Sequence, residues 1–581
     1  MTDNKTPKTV ADQVVEMIAD AGIKHLYAIT GDSLNEVNDA VRRNGKIDWI
    51  HVRHEETGAF AAGAEAMLTG RLACCAGSSG PGHVHLINGL YDANRANNAP
   101  VLAIASTCDS NQFGTQYFQE TDTIRLFDDC SVYNQVANTP QQAPRMLQAA
   151  MQHAIEKKAV GVFGLPGNLT QQEAIAPTTS LNPQITPRKI SPSDTEIAEL
   201  AMIVNKAKKV TIYCGIGAID AMPEVLGLAR KLKAPVGSTV KSKFMIQPGN
   251  ENYVGTTGLA GFTACYRAMH EADLLLLIGT DFPFSPFMPD DNFIAQIDIQ
   301  PENIGRRANV RLGIAADAAI ALQQLIPLVT TKDDTSFLDS AIKSFEDEQR
   351  LEKEAYIDHP GTKNLIRPEY VTHLLDQLAD DDAVITVDTG MNVSWTSHQL
   401  NNKSGKRDLI GSFNHGSMAN AMPQSIGCQL ATPDRQVIAF CGDGGLTMLL
   451  GDLMTIVQYK LPIKLIVMDN RALGMVKLEM EAAGLPDWQT DLLNPDFAAL
   501  AKVMGFTAAE TVDDPAEVEA AMKRILAYNG PALLSVKTDP NAMSMPPKPS
   551  LQQAKGFAED IIKLLSIGRG KEMIAAIKSA L

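Results

Sequence analysis

At 581 residues, 45% of them hydrophobic, and with 42 glycines and 31 prolines spread over many turns, the chain reads as folded throughout and long enough for three domains. A formal charge of -16 excludes general nucleic-acid binding, which needs a basic surface, but leaves a small anionic substrate open. The eight cysteines form no CxxC pair, the pattern of free thiols in a reducing compartment. The opening MTDNKTPKTVADQVVEMIADAG has no signal-peptide core, and no run approaches about 18 uninterrupted apolar residues. A cytoplasmic protein is expected, with peripheral contact to the membrane left open.

In chain order, helical periodicity in VADQVVEMIADAG and GAFAAGAEAMLTG alternates with the β-rich runs HLYAIT, LACCAG, VLAIAST and VGVFGLP. That alternation predicts a parallel sheet covered on both faces, assigned to residues 1–183. The proline-containing stretch QQEAIAPTTSLNPQITPRKISPSDT reads as a linker. A second α/β block, 190–345, holds the strands of VTIYCGIGA, ADLLLLIGTDF and FIAQIDIQ and ends in a charged helix. A third, 365–540, holds AVITVDTG, VIAFCGDGG, KLIVMDN and ALLSVKT. The remainder, 545–581, is a tail in which Met573, Ile574, Ile577 and Leu581 share one helical face.

The stretch VIAFCGDGGLTMLLGDLMTIVQYKLPIKLIVMDN sets Asp443 after one predicted strand and Asn470 after the next, the edge where open α/β sheets bind ligands. A carboxylate and an amide oxygen suit a hard cation such as Mg²⁺, and Gly442, Gly444 and Gly445 allow phosphate to approach the backbone. Spacing alone leaves a second reading, in which Asp443 caps a helix running from Thr447 onward.

GDGG followed by DN resembles the thiamine-diphosphate signature, with Asp469 where the family has a first asparagine. The resemblance implies Mg²⁺ held by Asp443, Asn470 and the carbonyl of Ala472, with Leu473 and Gly474 also at thiamine diphosphate. VRHEETGAFAAGAEAMLTG resembles the segment whose glutamate activates the cofactor from a neighbouring subunit; this places the role on Glu55, with Glu56 a less favoured competitor. GSSGPGHVHLINGLYDA, QYFQE and SFNHGSMANAMPQSIG are similar to pyruvate oxidases and imply Gly80 at the cofactor-side turn, Phe118 and Gln119 near the reacting carbon, and Met418 beneath the thiazolium ring. RALGMVKLEME implies an active-site acid at Glu479, and Met475 stands where relatives carry an aromatic residue between thiamine and flavin.

In the middle block GxGxxG fails at Asp220, against a classical NAD site. The block resembles the FAD-binding domain of pyruvate oxidases and acetolactate synthases, which implies Gly215, Gly217, Lys241, Gly258, Gly279, Thr280, Asp281, Phe282 and Asp298 as FAD-binding. The resemblance as a whole is to the thiamine-diphosphate-dependent pyruvate oxidase family, including its quinone-reducing members. It implies three α/β domains, a homotetramer with sites between subunits, and pyruvate as substrate. Expected products are acetate and carbon dioxide, with electrons passing through FAD to a quinone. Two alternatives stand beside this: a soluble oxidase that uses oxygen and phosphate to make acetyl phosphate and hydrogen peroxide, and an acetolactate synthase-like carboligase. The tail resembles one that contacts lipid in the quinone-reducing members.

Overall fold

The computed structural model describes residues 7–176, 183 and 189–542; the tail and part of the predicted linker lie outside the described residues. The apolar runs of the first block become β1 (His25–Ala28), β3 (Ala73–Gly77), β4 (Val101–Thr107) and β6 (Val160–Pro166). The shorter β2 (Asp48–His51) and β5 (Tyr133–Val136), too polar to announce themselves, complete the sheet. All its pairings are parallel, in the order β2-β1-β3-β4-β6-β5.

The middle sheet comprises β7 (Val210–Cys214), β8 (Val236–Ser238), β9 (Tyr253–Thr256), β10 (Leu274–Ile278), β11 (Phe293–Asp298) and β12 (Leu312–Ala315), in the order β12-β11-β10-β7-β8-β9. Counted from its own first strand this is 3-2-1-4-5-6, the winding of dinucleotide-binding sheets, and its direction reverses between β7 and β10. A small antiparallel pair, β13 (Gly361–Thr362) and β14 (Leu365–Ile366), precedes the third sheet. That sheet comprises β15 (Val384–Val387), β16 (Asp408–Gly411), β17 (Val437–Gly442), β18 (Lys464–Asp469), β19 (Ala508–Val512) and β20 (Ala532–Lys537). Its order, β16-β15-β17-β18-β20-β19, repeats the winding of the first sheet strand for strand. Three parallel α/β domains are therefore present, as the alternating sequence predicts.

The first and third sheets share one core, in which Phe60, Leu90 and Val162 meet Val384, Ile426 and Leu465. Burying a side chain the size of Phe60 contributes about 1.5–3 kcal/mol. Two helices, Glu55–Thr69 and Ala421–Ala431, bring these sheets together, and the small residues between them set how close they come. A Cβ at Gly427 would lie 2.0 Å from the carbonyl oxygen of Ala61, so only glycine fits. Because Glu55 opens one of these helices, its position is fixed by the packing of the shared core.

Candidate active site

Asp443 follows β17, and the helix Asp443–Met448 begins on that residue. This corrects the capping alternative: the helix starts on Asp443 itself with Gly442 at the cap position, and while one carboxylate oxygen takes a first-turn amide, the other is held from beyond the helix. Its Oδ1 accepts from the amide of Gly444 at 2.8 Å; its Oδ2 accepts from the amide of Arg471 at 2.6 Å and from Asn494 Nδ2 at 2.7 Å. The same Nδ2 donates to Asp469 at 2.9 Å, and Lys537 pairs with Asp469, which is fully buried. Two buried carboxylates with one ammonium leave a net negative centre. Burial pushes the Asp443 carboxyl up to about 6, and a cation beside it would restore the charged form.

Asn470 follows β18, and its Oδ1 accepts from the amide of Ala472 at 3.1 Å, which leaves a second lone pair. Asp443, Asn470 and the carbonyl of Ala472 thus offer oxygen donors on neighbouring strand ends, a set that fits Mg²⁺. Gly442, Gly444 and Gly445 line the cavity beside them. Met418, Leu473 and Leu492 close over Gly444, since a Cβ there would meet all three within 3.1–3.3 Å.

Asp388, at the end of β15, was not singled out from the sequence. It lies under the glycine loop: Gly442 N donates to its Oδ2 at 3.2 Å, and a Cβ at Gly445 would sit 1.9 Å from that oxygen. Burial pushes its carboxyl up to about 7. Because the folded value exceeds the ordinary 3.8, the stability contribution is full below that value and is lost as pH rises through about 7. Asp388→Asn keeps the shape without the charge. In the cofactor-free protein its gain in unfolding free energy is expected to be about 2–3 kcal/mol larger at pH 8 than at pH 5, at 1.36 kcal/mol per unit. Urea denaturation at the two pH values checks this; equal gains would show that the charge is not the cause.

A single cavity of about 470 Å³ runs from this edge to the reversal point of the middle sheet. Met418, Asp443, Asn470, Leu473, Gly474 and Glu479 line one end; Gly215, Lys241, Gly279, Thr280, Asp281 and Phe282 line the other. Thr257 and Thr280 are among the residues lining this second end, and their hydroxyls are buried with no hydrogen-bond partner, so a polar ligand group reaching them would satisfy them. FAD fits such a crevice. Asp281 is bridged to Arg306 and Arg307 at 3.1 and 3.4 Å, and burial pushes the Lys241 ammonium down to about 8.

Three residues expected at FAD stand back from the cavity wall. Gly217 donates its amide to the Gly279 carbonyl at 2.9 Å, joining the loops after β7 and β10. Gly258 lies against the Phe282 ring, where a Cβ would come within 3.0 Å. Asp298 accepts from Gln300 N and Asn303 Nδ2, at 2.9 and 3.3 Å.

Glu55, Gly80, Phe118 and Gln119 take no part in this cavity within one chain. Gly80 and Gln119 meet instead beyond the end of β3, with Glu55 beside the same loop at Gly82. Gln119 Oε1 accepts from Ser79 Oγ at 3.0 Å, and a Cβ at Gly80 would press on Gln119 at 2.8 Å. Glu55 is buried near Gly82, and Phe118 is 74% exposed. The two groups of residues are each assembled, but apart.

Asn494 and Lys537 were also missed. Asn494 gave no signal, being an ordinary polar residue in DLLNPDF, whereas Lys537 and Asp388 end predicted strands beside those of Asp443 and Asn470. No helix among the described residues is long and apolar enough to cross a membrane.

Models of the thiamine pyrophosphate enzyme domains match all three blocks: the N-terminal TPP binding domain over residues 8–126, the central domain over 197–325 and the C-terminal TPP binding domain over 388–536. A thiamine pyrophosphate-containing protein of Bacillus subtilis is 34% identical over 98% of this chain and 99% of its own length. The pyruvate oxidase of Lactiplantibacillus plantarum is 30% identical over 86% of this chain and 82% of its own. The acetolactate synthase isozyme 1 large subunit of Escherichia coli is 27% identical, over 93% and 95%. With three matched domains, a full-length relative and an acid–amide pair set where a metal-held diphosphate would lie, the chain belongs to the thiamine pyrophosphate enzyme family.

Proposed function

We propose that the protein decarboxylates pyruvate oxidatively, using thiamine diphosphate with Mg²⁺ and passing electrons through FAD to a quinone. The observation that carries this reading is the single cavity joining the Asp443–Asn470 edge to the crevice of a dinucleotide-type sheet. When bound, thiamine diphosphate supplies a nucleophilic carbon and an electron sink, and FAD accepts an electron pair. Asp443, Asn470 and the Ala472 carbonyl hold the metal, and Met418 with Leu473 packs the apolar side. Glu479, on the helix Gly474–Ala482, presents an acid to the same space. Since Glu55 and Gln119 do not line that space in their own chain, a second chain supplies them and the assembly is a homo-oligomer, expected to be a tetramer.

A carboligase reading stands second, favoured by Met475, a thioether lining the cavity where pyruvate oxidase-type chains carry an aromatic ring. Anaerobic mixing of the loaded protein with pyruvate separates the two. Bleaching of the flavin near 450 nm within turnover time, on the order of 1 s or faster, supports oxidation; an oxidised flavin with acetolactate as product overturns it. Quinone, oxygen and phosphate, added separately to the reduced protein, identify the acceptors. A parallel arm with liposomes tests the lipid contact proposed for residues 545–581.

A further inference from the structure

Glu55 opens its helix with a side chain only 7% exposed, and its two oxygens have different neighbours. Oε1 faces Gly82, where a Cβ would come within 3.3 Å. Oε2 lies 2.9 Å from Nδ1 of His85, whose side chain is 44% exposed and ends the short helix Pro81–His85. Within one chain a buried acid therefore reaches the surface through one half-exposed imidazole. Resting on the reading of Glu55 as the acid that activates the cofactor, we propose that His85 is its proton-supplying and positioning partner.

The surroundings leave His85 this task. His54 stacks on its ring, with centroids 4.4 Å apart and planes 25° apart, and fixes its orientation. The Nδ1 of His54 accepts the amide of Glu56 at 3.2 Å, so it is committed to capping the helix. The other charged groups nearby are turned elsewhere. Glu56 accepts from Asn88 at 2.7 Å and stays 4.0 Å from His54, while Asp452 accepts the amide of Arg53 at 2.7 Å. Among the described residues His85 is the one titratable side chain hydrogen-bonded to Glu55.

The transfer takes up one proton from solvent and needs no oxidant or reductant. The Nδ1–H of His85 passes its proton to Glu55 Oε2 as Nε2 takes one from a solvent hydronium ion, which leaves as water, and the imidazole changes tautomer. Glu55 becomes the neutral acid that can donate a hydrogen bond. The return transfer regenerates the carboxylate and releases the proton at Nε2.

The test uses the full-length protein in two forms. In the cofactor-free form, with ¹⁵N-labelled histidine, a hydrogen-bonded Nδ1–H signal is expected that disappears in both His85→Gln and Glu55→Ala; its absence from the wild type overturns the pairing. In the loaded form, hydrogen–deuterium exchange at the cofactor's reactive carbon is expected to slow by about 10–100-fold in His85→Ala, with cofactor affinity within about twofold of wild type, and to recover with added imidazole. His85→Gln, which preserves a hydrogen bond but has no group that titrates near neutral pH, is expected to stay slow. Wild-type exchange in either His85 variant, or a slow His85→Ala that imidazole fails to restore, overturns proton supply. Unchanged exchange in Glu55→Gln would instead sink the reading of Glu55 while leaving the measured pair intact.

Discussion

Asp443→Ala is expected to weaken Mg²⁺-dependent binding of thiamine diphosphate by at least about 100-fold, the largest loss any single substitution in the cavity should produce. Two effects combine. The metal loses a charged ligand, and the amides of Gly444 and Arg471 together with Asn494 lose the acceptor that holds the strand ends in register. Titration calorimetry with the cofactor at saturating Mg²⁺ measures the change. Asp443→Asn separates the contributions, because it keeps an acceptor while removing the charge: affinity should remain low although the fold is retained. Unaltered affinity in both variants would move the metal site away from β17.

The second large effect is the converse. Glu55→Gln should keep both cofactors at near wild-type affinity and lower pyruvate decarboxylation by about 10²–10⁴-fold, the range for loss of a general acid–base group. Binding and turnover part company because Glu55 lies outside the cavity that would hold the diphosphate. Stopped-flow turnover alongside cofactor stoichiometry checks both halves. Near-normal turnover would withdraw the role, and loss of cofactor would recast Glu55 as a binding residue.

Much of this was readable from residue pattern alone, and the exceptions have physical causes. β4, β10 and β18 are buried on both faces and so appear as unbroken apolar runs, whereas β2 and β5 at the sheet edges carry polar residues and gave no such signal. The segment TMLLGDLMTIVQY has helical periodicity, yet the helix breaks after Met448 and resumes at Leu453. The cause lies about 400 residues earlier in the chain: Asp452 turns out to take the amide of Arg53, along with the Thr455 hydroxyl. Asp443 and Asn470 were found because their flanking glycines and strands are local. Asn494 was not, since its bonds to Asp443 and Asp469 depend on a loop whose path no nearby residue announces. The middle block showed a damaged glycine motif but kept the dinucleotide winding, because strand order is set by core packing and not by the third glycine.

Strand-for-strand repetition of one winding in the first and third sheets gives the chain a pair of equivalent clefts, one between the ends of β1 and β3 and one between those of β15 and β17. The loops at these clefts differ in charge. GSSGPGH after β3 carries no acid, whereas GDGG after β17 does. Sheets of one strand order can therefore carry different chemistry through a handful of loop residues. Changes of substrate would be accommodated at those tips while the twin frameworks behind them stay as they are.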